Sequence, residues 1–327
     1  MKLVIHPPVE VERYARIVEA AGPMQVVNAA NPAAAREAIA EADAFFGKLT
    51  PEMLAVAGRL RWVQSPTASL EHYLFPELVA HPLVLTNMRG LYSDVIAEHV
   101  LGMMLAFTRN LHQYIRNQAA DRWEPVGGEA ARTSFAAGPG VCNAIDREHR
   151  MLGDLTLGIV GLGHIGLEIA QRSAAFGMRV LAVDPVRQVA PASVAALWPP
   201  QRLDELLGES DFVVIAAPHT PETEQMFRRR QFQAMKPSAI LINIGRGAIV
   251  NLDDLVTALA AREIAGAGLD VFEQEPTVEA ELLTLENVML VPHLGSGTVE
   301  TRTAMADLAA RNVAAVLSGQ PPITPVS

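Results

Sequence analysis

Between Leu155 and Asp184 the chain sets out, in order, an apolar run, a glycine-rich turn, a helical stretch, a second apolar run and an acid. Few folds accept that order. The turn reads Gly161-Leu162-Gly163-His164-Ile165-Gly166, the helical stretch Leu167 to Phe176 and the second run Met178 to Val183. Glycine allows a tight turn at the first position, close approach of a pyrophosphate to the backbone at the second, and close helix-to-strand packing at the third. The N-terminus of the helix then faces the anion. Asp184 stands about 20 residues beyond the glycines, where a carboxylate can bind ribose hydroxyls. Taken together these features predict a βαβ unit that binds a dinucleotide.

Three later apolar runs, Ala239 to Ile244, Ala265 to Leu269 and Val288 to Val291, read as buried strands of a parallel sheet. Just beyond them lie Arg246 in Asn-Ile-Gly-Arg-Gly, Glu273 and Glu275 in Asp-Val-Phe-Glu-Gln-Glu-Pro, and His293 in Val-Pro-His-Leu-Gly-Ser. Open α/β sheets build ligand sites at the C-terminal ends of their strands. A guanidinium holds a carboxylate through two parallel charge-assisted hydrogen bonds. An imidazole exchanges a proton near neutral pH, and a neighbouring carboxylate stabilises its charged form and fixes its tautomer. Local chemistry leaves Glu273 and Glu275 as equal candidates for that neighbour.

At these residues the chain resembles the D-isomer-specific 2-hydroxyacid dehydrogenase family. The resemblance is carried by Leu157 to Gly166, Asn243 to Val250, Gly266 to Pro276 and Pro292 to Thr298, with fainter matches at Thr86-Asn87 and Ala97-Glu98-His99. It covers nearly the whole chain and is weakest from about Glu124 to Arg150. It implies an α/β protein of two doubly wound domains, a Rossmann dinucleotide-binding domain and a smaller flavodoxin-like substrate domain. The implied activity is NAD-dependent interconversion of a 2-hydroxy acid and a 2-keto acid. Arg246 would bind the substrate carboxylate, His293 would be the acid/base and, of the two glutamates, Glu275 its partner. The implied cofactor-binding set is Gly161, Gly163, His164, Ile165, Gly166, Asp184, Pro218, Ile244, Asp270 and Gly295, with Asp270 near the nicotinamide. Ala68 and Ser69, in the loop Thr67 to Glu71, would offer backbone N–H groups to the carboxylate beside Arg246 and His293. That loop is usually of Gly-Val-Asp type in the family, and Ser69 replaces its glycine. NAD is expected over NADP because Asp184 would face the extra 2′-phosphate as a like charge, with Arg187 close enough to offset it. The family also implies a homodimer built on the dinucleotide domains.

The expected domains are discontinuous, residues 1–100 with 297–327 for substrate and 101–296 for the dinucleotide. Short strands (Leu3 to His6, Met24 to Asn28, Ala44 to Gly47, Leu60 to Gln64, Leu83 to Thr86) alternate with helices in the first domain. A single long helix is expected from Ser93 to about Asn117, with Val95, Val100, Leu101, Met104 and Leu105 on its apolar side, and a last helix from Val299 to Leu317. Glu124 to Arg150 holds Gly127-Gly128 and Gly138-Pro139-Gly140 and reads as an extended loop that packs across a dimer interface. His99, mid-helix, reads as a packed or interface histidine.

A formal charge of −10 comes with one dense basic run, Arg228 to Arg230, expected to be a solvated surface, so nucleic acid and anionic membranes are poor partners. The single Cys142 allows no internal disulfide, and no His/Cys/Asp cluster has metal-ligand spacing. The N-terminus reads as a strand stopped by prolines rather than a signal peptide, and the chain is expected in the cytoplasm. Two rival functions are a phosphite-type dehydrogenase and a non-catalytic NAD(H)-sensing binding protein of the corepressor type.

Overall fold

The computed structural model describes residues 1–70, 73–132 and 141–326. Glu71 and the Gly138-Pro139-Gly140 stretch lie outside the described residues. The chain forms two compact units, Met1–Tyr92 with Gly297–Ser327, and Ser93–Ser296. The division falls at the start of a helix rather than at the expected residue 100.

In the first unit the strands β1 (Lys2–His6), β2 (Gln25–Asn28), β3 (Ala44–Gly47), β4 (Trp62–Gln64) and β5 (Val84–Thr86) alternate with helices α1 (Val11–Ala21), α2 (Pro32–Ile39), α3 (Pro51–Leu54) and α4 (Pro76–Val79). The sheet is parallel, in the order β2-β1-β3-β4-β5. Every residue of β3 is buried, as a strand covered by helices on both faces must be. Asn31 and Thr50 start α2 and α3 by accepting from Ala34 N and Met53 N, each followed by a proline preset for the first helical position.

The second unit contains α5 (Ser93–Thr108), α6 (Leu111–Ala119), α7 (Ala144–Glu148), β6 (Thr156–Val160), α8 (His164–Ala175), β7 (Arg179–Val183), β8 (Ala196–Trp198), α9 (Leu203–Glu209), β9 (Phe212–Ile215), α10 (Arg229–Ala234), β10 (Ile240–Asn243), α11 (Leu252–Ala260), β11 (Gly266–Leu269), α12 (Ala280–Thr284) and β12 (Val288–Leu290). Its parallel sheet runs β12-β11-β10-β9-β6-β7-β8. The order reverses between β6 and β9, where doubly wound sheets open a ligand crevice. The chain then returns to the first unit as α13 (Val299–Leu317), whose Met305, Leu308, Ala309 and Val313 share a core with Leu3, Ile5 and Ile17. Buried Asn312 fastens that return: its amide donates to Gln64 Oε1 at 2.8 Å and to Thr324 Oγ1 at 3.2 Å.

Two expectations need correction. The long helix is broken, because Asn110 adopts φ 54° and its buried side chain donates to Glu148 O at 2.8 Å. Leu105 is exposed, and Met103 and Phe107 press on the sheet instead. A Cβ on Gly268 would lie 2.9 Å from Met103 Sδ, and one on Gly266 3.2 Å from Phe107 Cε1, so glycine lets the helix approach closely. The second correction is that Glu124 to Arg150 is not wholly extended. It contains a 3-10 turn at Glu129–Ala131 and α7, started by reciprocal capping between Asn143 and Asp146. Arg150 ties its end to the unit, donating from N to Thr108 O at 3.0 Å and from Nη2 to Asp211 Oδ1 at 3.0 Å. Burial opposes ionisation of Asp211, but the Thr156 N–H, the Lys236 ammonium and the Arg150 guanidinium outweigh it and hold the carboxyl below its usual range.

Arg228 to Arg230 are exposed, with Arg229 paired to Glu263 and Arg230 to Asp204. Among the described residues no helix is long and apolar enough to cross a membrane.

Candidate active site

The loops after β6, β7, β9, β10, β11 and β12 carry the candidate residues of the second unit. After β6, Gly161 turns the chain at φ 93°, and a Cβ there would stand 2.8 Å from Ala217 Cα. Gly166 packs against the same turn, its Cβ falling 2.2 Å from Gly161 O. Gly163, the N-cap of α8, would place a Cβ in open space. The first and third glycines are thus required by the protein's own packing, whereas the second leaves an exposed helix N-terminus uncovered. That cradle fits a pyrophosphate. His164 is exposed and contributes its backbone position; Ile165 packs against the core.

Asp184, just past β7, accepts from Leu162 N at 2.7 Å, Val186 N at 2.9 Å and Arg187 N at 2.8 Å. Arg187 Nε donates to Leu162 O at 3.1 Å, so acid and base clamp the glycine turn from one side. Past β9, Ala217 is wedged between Gly161 and Gly245, whose Cβ would meet Ala217 O at 2.7 Å. Pro218 follows, exposed, with its carbonyl accepting from Thr223 Oγ1 at 2.8 Å.

Beyond β10, Ile244 is buried and donates to Ile215 O. Asn243 brackets the next turn: its Oδ1 accepts from Gly245 N at 3.1 Å and its Nδ2 donates to Arg246 O at 3.0 Å. Arg246 emerges half-buried, with Nη1 donating to Gly245 O at 2.6 Å. Gly247 admits the neighbouring loop, since a Cβ there would lie 2.0 Å from Phe272 C. That contact sets the arginine loop against the glutamate loop.

Glu275 folds back so that Oε1 accepts from Phe272 N at 2.9 Å, and its Oε2 lies 2.7 Å from His293 Nδ1. Glu273 makes no such contact among the described residues. Side chains of the pair are 46% (His293) and 34% (Glu275) exposed, so as an ion pair it adds little to stability. Its use is orientation. A carboxylate on Nδ1 fixes the tautomer and directs Nε2 outward. His293 itself sits at φ 54°, its N–H donating to Val291 O at 3.0 Å. Asp270, at the end of β11, accepts from Leu294 N at 2.8 Å and Gly295 N at 3.0 Å.

In the first unit, the loop after β4 holds Ala68 and Ser69. Asn87 Nδ2 donates to Ala68 O at 2.7 Å and Thr67 Oγ1 to Ser69 O at 2.6 Å, leaving the N–H groups of Ala68 and Ser69 without a partner among the described residues. Asn243 shapes the site although it is not among the candidates that the sequence offers. The signal was present, because an Asn two residues before a glycine is a turn-forming side chain.

The family model of the D-isomer specific 2-hydroxyacid dehydrogenase NAD binding domain matches residues 101–295. Glyoxylate reductase of Pyrococcus furiosus is 37% identical over 281 residues, 86% of this chain and 80% of that protein. Among solved structures, a D-isomer specific 2-hydroxyacid dehydrogenase family protein from Aeromonas salmonicida matches with a TM-score of 0.80 at 29% identity, covering 100% of this chain and 98% of that chain. An NADPH-dependent glyoxylate/hydroxypyruvate reductase from Sinorhizobium meliloti in complex with citrate matches with a TM-score of 0.77 at 27% identity, covering 100% and 97%. With its glycine cradle, its strand-end Arg, Glu and His and these relatives, the chain belongs to the D-isomer specific 2-hydroxyacid dehydrogenase family.

Proposed function

We propose that this enzyme interconverts a small 2-keto acid and the corresponding 2-hydroxy acid, the D form where the product is chiral, with glyoxylate and hydroxypyruvate the first substrates to test. The observation that carries the reading is the 2.7 Å contact of His293 Nδ1 with a Glu275 carboxylate already anchored on Phe272 N. The nicotinamide cofactor supplies or accepts the hydride. Arg246 holds the substrate carboxylate, and in the first unit Ala68 and Ser69 are the substrate-binding residues. His293 Nε2 gives a proton to the carbonyl oxygen in reduction and takes it from the hydroxyl in oxidation, while Glu275 stabilises the imidazolium between the two. Initial rates with a panel of 2-keto acids and NADH, and with phosphite and NAD, test this. Saturable reduction of a keto acid is expected. Phosphite oxidation alone, or tight NADH binding with no turnover on any acid, would support the two rivals instead.

The cofactor-binding residues are those of the cradle (Gly161, Gly163, His164, Ile165, Gly166), Asp184 at the ribose, and Pro218, Ile244, Asp270 and Gly295 along the strand ends. Asp184 opposes a 2′-phosphate, and NADH is therefore expected to exceed NADPH in kcat/KM by at least about tenfold, some 1.4 kcal/mol. Equal values would show that Arg187 outweighs Asp184.

The protein works as a homodimer through the second unit. Leu111, Ile115 and Trp123 are 47%, 66% and 95% exposed along one groove, an apolar surface that a partner copy would cover. Wild type should sediment as a dimer and the Ile115→Asp, Trp123→Asp double variant as a monomer. A monomeric wild type would refute this.

A further inference from the structure

Asp270 is a sealed carboxylate, its side chain only 5% exposed. Its two oxygens take the N–H groups of Leu294 and Gly295, the two residues immediately after His293. The left-handed turn at His293 is therefore held from three sides: by its own N–H on Val291 O, by Glu275 on its ring, and by Asp270 on the chain that leaves it. Non-glycine residues keep such a backbone only where the surroundings over-determine it.

His99 closes this arrangement from behind. It projects from α5, and its Nε2 is buried with no hydrogen-bond partner among the described residues. That nitrogen lies 3.7 Å from Asp270 Oδ1, an ion-pair rather than a hydrogen-bond separation, and Oδ1 is the oxygen that receives the Leu294 N–H. Gly295 completes the cluster, since a Cβ there would stand 2.8 Å from Asp270 Oδ2 and 3.3 Å from His99 Cδ2. A buried carboxylate and a buried imidazole nitrogen each carry a desolvation cost that proximity to the other relieves. Its nitrogen thus faces the carboxylate that takes the Leu294 and Gly295 N–H groups.

We propose that His99 is a positioning residue for the reaction: through Asp270 it fixes the Leu294–Gly295 backbone, and so the place from which His293 meets the substrate. This rests on the reading of His293 as the acid/base. Misplacement by about 1 Å can cost up to about 10²-fold in rate, so a partial loosening of the loop should cost about tenfold.

The test is a mutant cycle on the full-length protein, with kcat, KM for the keto acid, NADH affinity by fluorescence quenching and melting temperature read for each variant. His99→Phe, which keeps the bulk and removes the nitrogen, is expected to lower kcat by about tenfold while KM and NADH affinity stay within about twofold. His99→Gln, whose amide can reach the position of Nε2, should recover most of that loss. In an Asp270→Asn background His99→Phe should do nothing further, because two residues acting through one contact are not additive. Unchanged kcat in His99→Phe overturns the proposal. So does a full-sized loss in the Asp270→Asn background, or a loss in Phe and Gln variants alike that follows their melting temperatures. His293→Ala, assayed alongside, separates the two claims: if it keeps wild-type kcat the acid/base reading fails, whereas if it collapses while His99→Phe is silent only the positioning role fails.

Discussion

Replacing His293 with Ala is expected to lower kcat for keto acid reduction by about 10²- to 10⁴-fold, the usual worth of a positioned acid/base. The melting temperature should hardly move, because the ring is 46% exposed and its ion pair adds little to stability. Loss of rate without loss of fold is the signature to look for in steady-state assays with circular dichroism as the control. The two glutamates supply an internal contrast. Glu275 spends one oxygen on Phe272 N and the other on His293, so Glu275→Gln should lower kcat markedly; Glu273 is exposed, and Glu273→Gln should be silent. Wild-type turnover in His293→Ala would remove His293 from the chemistry, and the reverse ranking of the glutamates would remove Glu275.

Arg246→Lys is expected to reduce kcat/KM by about 10²-fold, on the order of 2.7 kcal/mol, although the charge is conserved. The guanidinium is set in a bracket: Asn243 turns the loop through Gly245 N and Arg246 O, and Nη1 is steadied by Gly245 O. A planar fork engages a carboxylate in one two-pronged geometry. A lysine ammonium is a point charge on a flexible stem and reproduces neither the anchor nor the fork. Esterified keto acids, which lack the carboxylate, should lose the discrimination between Arg and Lys. Near-wild-type kcat/KM in Arg246→Lys on the free acids would refute the clamp.

The parts of the site that sequence made legible are those where chemistry follows a strand end directly. The glycines at 161, 163 and 166 carry their reasons in their spacing, and the structure separates the first and third, set by close packing, from the second, where a Cβ would meet open space. Arg246 and His293 each follow a short apolar run, and parallel strands buried on both faces are such runs. What stayed hidden depended on partners distant in sequence. The break at Asn110 falls inside an apolar pattern that continues as if helical, and its side chain is held by a carbonyl distant in sequence, that of Glu148. Strand β8, Ala196–Trp198, leaves no trace in the sequence, because three half-buried residues at a sheet edge carry no periodicity to read. Local chemistry leaves Glu273 and Glu275 open and the family resemblance favours Glu275, while the fold-back of its side chain onto Phe272 N shows only in the structure. His99 gave only an ordinary mid-helix histidine until Asp270, from the far side of the sequence, was brought beside it.

Hydride transfer itself, observed in a single turnover, tests the central claim most directly. Enzyme loaded with one equivalent of NADH is mixed with excess hydroxypyruvate, and the loss of nicotinamide absorbance is followed for wild type and His293→Ala in parallel, with NADH affinity measured for both. Equal cofactor binding, rapid decay yielding the D-hydroxy acid in wild type, and decay slowed by about 10²-fold or more in the variant are the predicted results. Decay at the wild-type rate in His293→Ala, or bound NADH that no 2-keto acid oxidises in wild type, would contradict it.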